Sequence, residues 1–285
     1  MANLRVDKIT STETFEKTGS VHFDGVNDGL SVTEHDDFDL GSGDFTIEGW
    51  YYLHNHNSYL CLFDFRGDGG DGNYPTLFKQ QAKDYIYYYT NSERRISNVD
   101  IKYDTWLHIA IARSSGITKL FLNGKEEGSF VDSHDYVSRD ILLGLSTSNS
   151  NDLHGNISNF RVVKGTAVYV SNFKPPMREL EPIPGTVLLC CQSTTNTTFE
   201  RTGKTITVDG NPNACEVTPG LLRPVPKSGA GSAITGSVEF SGTADYLGLP
   251  TTTDFTFGTN DFTIEFWLNP GENPTNYTII FSLTS

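Results

Sequence analysis

No apolar run in the 285 residues approaches the roughly 20 that a membrane-spanning helix requires. The opening stretch, MANLRVDKIT, also lacks the apolar core of a secretory signal. Positive charge is scarce: 21 Lys and Arg stand against 35 Asp and Glu, for a net charge of -14. That balance opposes unaided binding to nucleic acid or to an anionic membrane surface. There are only four cysteines, Cys61, Cys190, Cys191 and Cys215, and their spacing matches neither a zinc ligand set nor a disulfide framework. Adjacent residues on a strand point to opposite faces, so Cys190 and Cys191 are expected to remain unpaired. Free, mostly buried thiols suit assembly in a reducing cytoplasm. Long helical periodicity is missing as well, which removes coiled coils and helical bundles from consideration.

What is present is period-two alternation in runs of five to eight residues bounded by Gly, Asn, Asp or Pro, in a chain with 27 glycines and 12% aromatic residues. This pattern predicts an all-β protein. In Phe45 to Trp50 the residues Phe45, Ile47 and Gly49 share one face, while Thr46, Glu48 and Trp50 share the other. The Phe/Ile face is the expected core side, since a one-residue slip would reverse both faces. Further strands are expected at Tyr59–Phe65, Thr76–Lys79, Tyr85–Tyr89, Trp106–Arg113, Lys119–Leu122, Ile141–Leu145, Ile157–Val163 and Val187–Gln192. Asn123-Gly124 after Leu122 predicts a tight hairpin turn, because both residues tolerate positive φ.

The segment Ser20 to Trp50 recurs without a gap at Ser237 to Trp267, with about half of the paired positions identical. SVHFDG and DFTIEGW return as SVEFSG and DFTIEFW. The spacing is 217 residues and only 49 residues follow Gly236, so the second copy is expected to be unfinished. The expected organisation is an attachment segment at 1–19, a complete module at 20–215, a Pro/Gly/Ser-rich linker at 216–236 and the first part of a second module at 237–285.

Taken in order, SVHFDG, DFTIEGW, Trp106-x-His108, LFLNG at Leu120 to Gly124, GNISNFRV at Gly155 to Val162 and Phe173-x-Pro-Pro form a set with a recognisable likeness. It resembles the laminin G-like, concanavalin A-like lectin/glucanase family, in the variant found in structural proteins of marine phages. FRVVKGTAVYVSNFKPP, Phe160 to Pro176, and the closing run Ile206 to Asn211 add to the likeness. The resemblance implies an antiparallel jelly-roll β-sandwich. It also implies a virion structural protein of tail-fibre or surface-appendage type, placed in the virion after assembly in the host cytoplasm. The implied partners are other virion proteins, a second and third copy of the chain by analogy with trimeric fibres, and host-surface glycans. A capsid-decorating protein and a bacterial adhesin or carbohydrate-binding module of a larger protein are the alternatives.

Glucanases of such a fold place two or three carboxylates on alternate residues of one strand. Glu48 is the only carboxylate in Phe45 to Trp50, so no enzymatic activity is expected. His108 has no Ser or Cys companion in a recognisable arrangement and reads as structural. Glu48 and Trp50 could together stack and hydrogen-bond a sugar, although a crossing loop above Trp50 explains the repeated Trp267 better. The loop RGDGGDGNYP, Arg66 to Pro75, adds Asp71, Asn73 and Tyr74 to the candidate carbohydrate-binding set. Asp68 and Asp71 in the same loop are the candidate metal ligands. No cofactor is required; calcium is the ion such hard oxygen donors suit, against the blander reading of a hairpin tip. Tyr85, Tyr87, Tyr88 and Tyr89 offer a sugar platform or subunit contact, with at least half of them facing the core if the segment is a strand.

Overall fold

The alternation in DFTIEGW carries through to a nine-residue strand whose inward residues are Phe45, Ile47, Tyr51 and Leu53. The Phe/Ile face is therefore the core face. The structure is a computed structural model that describes residues 15–55, 59–67, 70, 72–80, 85–91, 93–137, 139–147 and 151–224. The second copy at 237–285 lies outside the described residues, as do Asp68 and Asp71.

Among the described residues the chain forms β1 (Phe15–Lys17), β2 (Ser20–Asp24), β3 (Gly29–Val32), β4 (Phe45–Leu53), β5 (Leu60–Asp64), β6 (Thr76–Lys79), β7 (Tyr85–Thr90), β8 (Glu93–Asp100) and β9 (Trp106–Ser114). It continues through β10 (Ile117–Leu122), β11 (Lys125–Val131), β12 (Ile141–Leu143), β13 (His154–Lys164), β14 (Thr186–Cys190), β15 (Ile206–Asp209), β16 (Asn213–Cys215) and β17 (Leu222–Pro224). A single 3₁₀ turn, Asp36–Phe38, is the helical element of this part of the chain. One sheet runs β11-β10-β9-β4-β13-β2-β16 with β14 also on β13, and the other runs β15-β3-β12-β5-β6-β7-β8. All pairings are antiparallel, and the two sheets form a jelly-roll sandwich. Its core is filled by Phe23, Phe45, Tyr51, Ile109 and Phe160 from one side and Leu30, Phe63, Leu77, Tyr88 and Leu143 from the other. Each such side chain contributes about 1.5–3 kcal/mol relative to an exposed position.

Strand β13 is not one regular strand, as Ile157–Val163 suggested. Asn159 adopts φ 53 and its partners shift between Ser158 and Arg161, so the alternation changes phase. Ile157 faces the core before the bulge, and Phe160 and Val162 face it afterwards. The bulge also lets β13 exchange neighbours, pairing β2 through His154–Ile157 and β14 through Phe160–Val163. Asn159 secures the break with its side chain, which donates to Thr18 and accepts from Leu180 N and Gln192 Nε2.

One more expectation needs correction. Cys191 has φ 59, which turns it out of the strand that ends at Cys190, and the two sulfurs lie 3.7 Å apart in the core instead of on opposite faces. Both are free thiols, and the hydrogen bond shared with Cys191 together with burial pushes the Cys190 thiol up. Strand β1, inside the expected attachment segment, pairs with β17, inside the Pro-rich stretch expected as linker. Thr18 N donates to Leu221 O at 3.2 Å beside this ribbon, so the chain reaches and leaves the sandwich at one place.

The Asn123-Gly124 turn forms as expected, with φ 49 and 78, and joins β10 to β11. Gly124 is required twice, because a Cβ there would also fall 2.0 Å from the carbonyl oxygen of Phe173. Gly203, with φ 86 and no atom within 4 Å of a Cβ, isolates the conformational part. Gly203→Ala is expected to cost about 1–2 kcal/mol, and Gly124→Ala clearly more than that, read as urea unfolding midpoints. Equal losses would show that the Phe173 approach contributes nothing.

Candidate functional site

The outward residues of β4 meet those of β9 and β13 at a buried polar knot. Glu48 lies opposite Arg161, and its Oε1 accepts from Arg161 Nε at 3.0 Å and from Nη2. Its Oε2 accepts from the Tyr169 hydroxyl at 2.8 Å and faces His108 Nε2 at 3.2 Å. An ionised carboxylate only accepts, so the proton of the His108 ring is assigned to Nε2. Glu48 is 1% exposed and His108 fully buried. Burial by itself pushes the Glu48 carboxyl up, but the bond from His108 and the charge of Arg161 outweigh it and hold the group below its ordinary value of 4.5. Burial and the Glu48 carboxylate push the Tyr169 hydroxyl up, so it remains a donor.

Tyr169 belongs to the segment between β13 and β14, residues 165–185, which four prolines keep out of regular structure. This strap crosses the outer face of the eight-stranded sheet. Tyr169 and Phe173 stack at 3.6 Å with planes 7° apart, over Ala110, Ala112 and Phe121. Backbone bonds tie it down at Val168 N to Thr46 Oγ1 and at Phe173 N to Gly124 O, both 2.8 Å. Arg161 Nη1 reaches on to the Glu181 carbonyl at 2.8 Å. The knot is thus the anchor of a lid-like cover, and every polar contact of Glu48 is spent on it.

Trp50 shares the outer face with Glu48, as expected, and its ring meets His108 edge-on at 5.2 Å. Its indole Nε1 has no protein partner. The strap covers Glu48, whereas Trp50 stays partly exposed beside it. Asn73 and Tyr74 lie elsewhere, in the loop between β5 and β6 of the other sheet, where Tyr74 packs on the main core and its hydroxyl accepts from Arg139 Nε at 3.2 Å. Among the described candidates, Glu48 and Trp50 therefore lie on one sheet and Asn73 and Tyr74 beside the other, with Asp71 outside the described residues.

The outer face of the seven-stranded sheet carries a different arrangement. Cys61, Phe78 and Tyr87 stand opposite one another on β5, β6 and β7 and form a cluster with Tyr59 and Tyr89 at its margin. Tyr88 alone of the four tyrosines faces the main core, fewer than the expected half, because Tyr85, Tyr87 and Tyr89 fall at alternate positions on the other face. Arg66 holds the buried Asp64 through two side-chain bonds, Nε to Oδ1 at 2.9 Å and Nη2 to Oδ2 at 2.7 Å. Its guanidinium lies 5.3 Å from the Phe78 ring centroid and 5.8 Å from that of Tyr89. Asp64, at the foot of the glycine-rich loop, also accepts from Thr76. No group of three or more His, Cys, Asp or Glu among the described residues is placed to hold an ion. The candidate calcium ligands Asp68 and Asp71 lie outside the described residues.

Sequence reasoning did not single out Arg161, Tyr169 or Arg66 as site-forming residues. The phase change in NISNFRVV is the one local signal that pointed to Arg161, because it alone turns that residue outward.

Residues 24–167 match the family model Laminin_G_3, concanavalin A-like lectin/glucanases superfamily. The chain belongs to this superfamily. Among solved structures it is similar to a candidate carbohydrate binding protein from Bacteroides ovatus ATCC 8483, with 16% identity over 70% of this chain and 58% of that one and a TM-score of 0.52. A heptameric SAP-like pentraxin from Limulus polyphemus aligns at 12% identity over 68% and 95% of the two chains, with a TM-score of 0.46. Domains LG4-5 of the mouse laminin α1 chain align at 13% over 55% and 47%, with a TM-score of 0.41. At these identities the likeness is one of fold. The chain spans little more than half the length of the Bacteroides protein, and no curated protein matches it in sequence.

A carboxyl whose folded pKa lies below its unfolded value contributes stability that is present above the unfolded pKa and lost as pH falls through the folded one. Glu48 is such a group, and so is Asp132, where bonds from Thr118 and His134 outweigh burial. Stability is therefore expected to decline on acidification below about pH 4.5. Glu48→Gln leaves Arg161 buried without its counter-charge and is expected to cost about 3–5 kcal/mol at pH 7, with the gap to wild type narrowing in acid. Urea unfolding between pH 3 and pH 7 measures both; an unchanged midpoint at pH 7 would contradict the anchor.

Proposed function

We propose that this chain is a non-enzymatic structural protein of a phage particle, of tail-fibre or surface-appendage type, whose lectin-fold module holds glycans of the host surface. The observation that carries the glycan reading is the tyrosine-lined face of the seven-stranded sheet. Partly exposed Tyr89 lies 5.8 Å from a guanidinium that Asp64 fixes in place, and partly exposed Tyr59 packs on the same cluster. Rings of this kind stack on sugar faces, and a rigid guanidinium donates to sugar hydroxyls from a defined direction. Arg66 is held before any ligand arrives, so little ordering accompanies binding.

The non-enzymatic part rests on the engagement of Glu48, whose two oxygens are occupied by Arg161, His108 and Tyr169. The particle reading is supported by the restart of the module at Ser237 and by the likeness of the ordered motifs to phage structural proteins. A net charge of -14 suits an exterior component that does not bind nucleic acid. A symmetric oligomer, trimeric by analogy with fibres, would present several such faces at once and raise avidity.

Full-length protein applied to an array of host-envelope glycans is expected to bind a defined subset. Tyr89→Ala is expected to weaken that binding at least tenfold, about 1.4 kcal/mol, with the melting temperature unchanged. No glycan bound, or equal binding by the variant, would overturn the reading of this face. Antibody against the chain is expected to label intact particles in electron micrographs, and labelling confined to host cell envelopes would remove the particle assignment.

A further inference from the structure

The strap covers only part of the outer face of the eight-stranded sheet. Beyond it, strand register sets five residues in one row across five strands. Trp106 on β9 lies opposite Tyr52 on β4, and Tyr52 lies opposite Asn156 on β13. Asn156 in turn lies opposite His22 on β2, and His22 opposite Asn213 on β16. Trp106, Tyr52, Asn156 and His22 lie on the outer side, because their strand neighbours Leu107, Tyr51, Leu53, Ile157, Val21 and Phe23 fill the core, and Asn213 shares that side as the register partner of His22. Four strand spacings of about 4.8 Å make the row about 19 Å long.

The row has the composition of a ligand platform more than of a solvated sheet face. Trp106, Tyr52 and His22 are partly exposed and Asn213 is exposed, while Asn156 between them is buried. Tyr52 and Trp106 meet edge-on at 5.7 Å, which braces both rings. The Asn156 amide donates to Ser20 Oγ at 3.0 Å and presents its oxygen to His22 Nδ1 at 3.3 Å, so the polar end is ordered too. At the next level along the strands stands Trp50, whose indole donor is buried and lacks a protein partner. Apart from His22, the row holds no acidic or basic side chain, in a chain whose net charge is -14. That complement fits a neutral ligand and disfavours an anionic one.

We propose that this row is a second binding surface, which takes a neutral oligosaccharide laid across the strands. The rings of Trp106 and Tyr52 receive sugar faces at one end, and His22 and Asn213 exchange hydrogen bonds with hydroxyls at the other. The surface rests on the reading that the module binds glycans, but it is independent of the tyrosine face on the opposite sheet.

The test is titration of full-length protein with the array-selected glycan in three forms: wild type, Trp106→Ala and Asn213→Ala. Tyr89→Ala serves as the probe of the other face. Trp106→Ala is expected to weaken binding of a neutral oligosaccharide at least tenfold, and Asn213→Ala, at an exposed position that leaves the core intact, about threefold. Both should bind normally to any ligand lost in Tyr89→Ala. If Trp106→Ala fails to fold, Asn213→Ala carries the test alone. Binding abolished by Tyr89→Ala and untouched by the row variants would overturn the second surface while leaving the proposed function in place. Binding through the row of sialylated or sulfated glycans alone would overturn the neutral assignment. No glycan bound by wild type would remove the proposed function and this surface together.

Discussion

The ion pair between Glu48 and Arg161 is the constraint from which most of the outer architecture follows. A carboxylate with 1% exposure is tolerated only when its charge is matched and its oxygens are bonded. Here the match requires one residue from each of three adjacent strands and one from a segment that has no strand at all. Arg161 can supply its part only because Asn159 breaks the phase of β13. Tyr169 can supply its part only because the 165–185 segment folds back over the sheet, where Gly124 leaves room for the Phe173 carbonyl. Removing any member leaves the others buried with unmet polar groups, so bulge, turn and strap stand or fall together.

This constraint also divides the surfaces of the sandwich. On the eight-stranded sheet the anchored strap converts half of the outer face into a second small core around Ala110 and Phe121. The half it leaves uncovered is polar and aromatic, with Trp106, Tyr52 and His22 in register. On the other sheet no comparable strap is described, and the Asp64–Arg66 pair instead holds a guanidinium against Phe78 and Tyr89. The same chemistry, a buried carboxylate pairing an arginine, closes one face and organises the other. The repeat retains Glu265 and Trp267 at the positions of Glu48 and Trp50, which is what an architectural role for that pair demands.

Much of the sandwich was legible in the sequence for local reasons. The alternation in Phe45–Trp50 identifies its own core side, and Asn123-Gly124 needs no tertiary information to form a turn. The bulge at Asn159 was less visible, because a phase change in NISNFRVV looks like irregular patterning until both halves of the strand find different neighbours. The polar knot was not legible at all: Glu48 lies 113 residues from Arg161 and 121 from Tyr169, and nothing local encodes such a meeting. The side-by-side sulfurs of Cys190 and Cys191 were likewise hidden, since a positive φ at a cysteine has no sequence signature. The pairing of β1 with β17 escaped notice because a proline-rich composition reads as linker even where a few residues extend beside a partner.

Hydrogen exchange in Tyr169→Phe tests the anchoring claim most directly, because the substitution removes one hydroxyl and keeps the ring that stacks on Phe173. A hydrogen bond to a carboxylate contributes about 1.5–3 kcal/mol. The amides of Val168 and Phe173 are therefore predicted to exchange at least about tenfold faster than in wild type, while those of β4 and β9 keep their protection. Strap amides as protected as in wild type would show that the cover is held without Glu48, and would contradict the account.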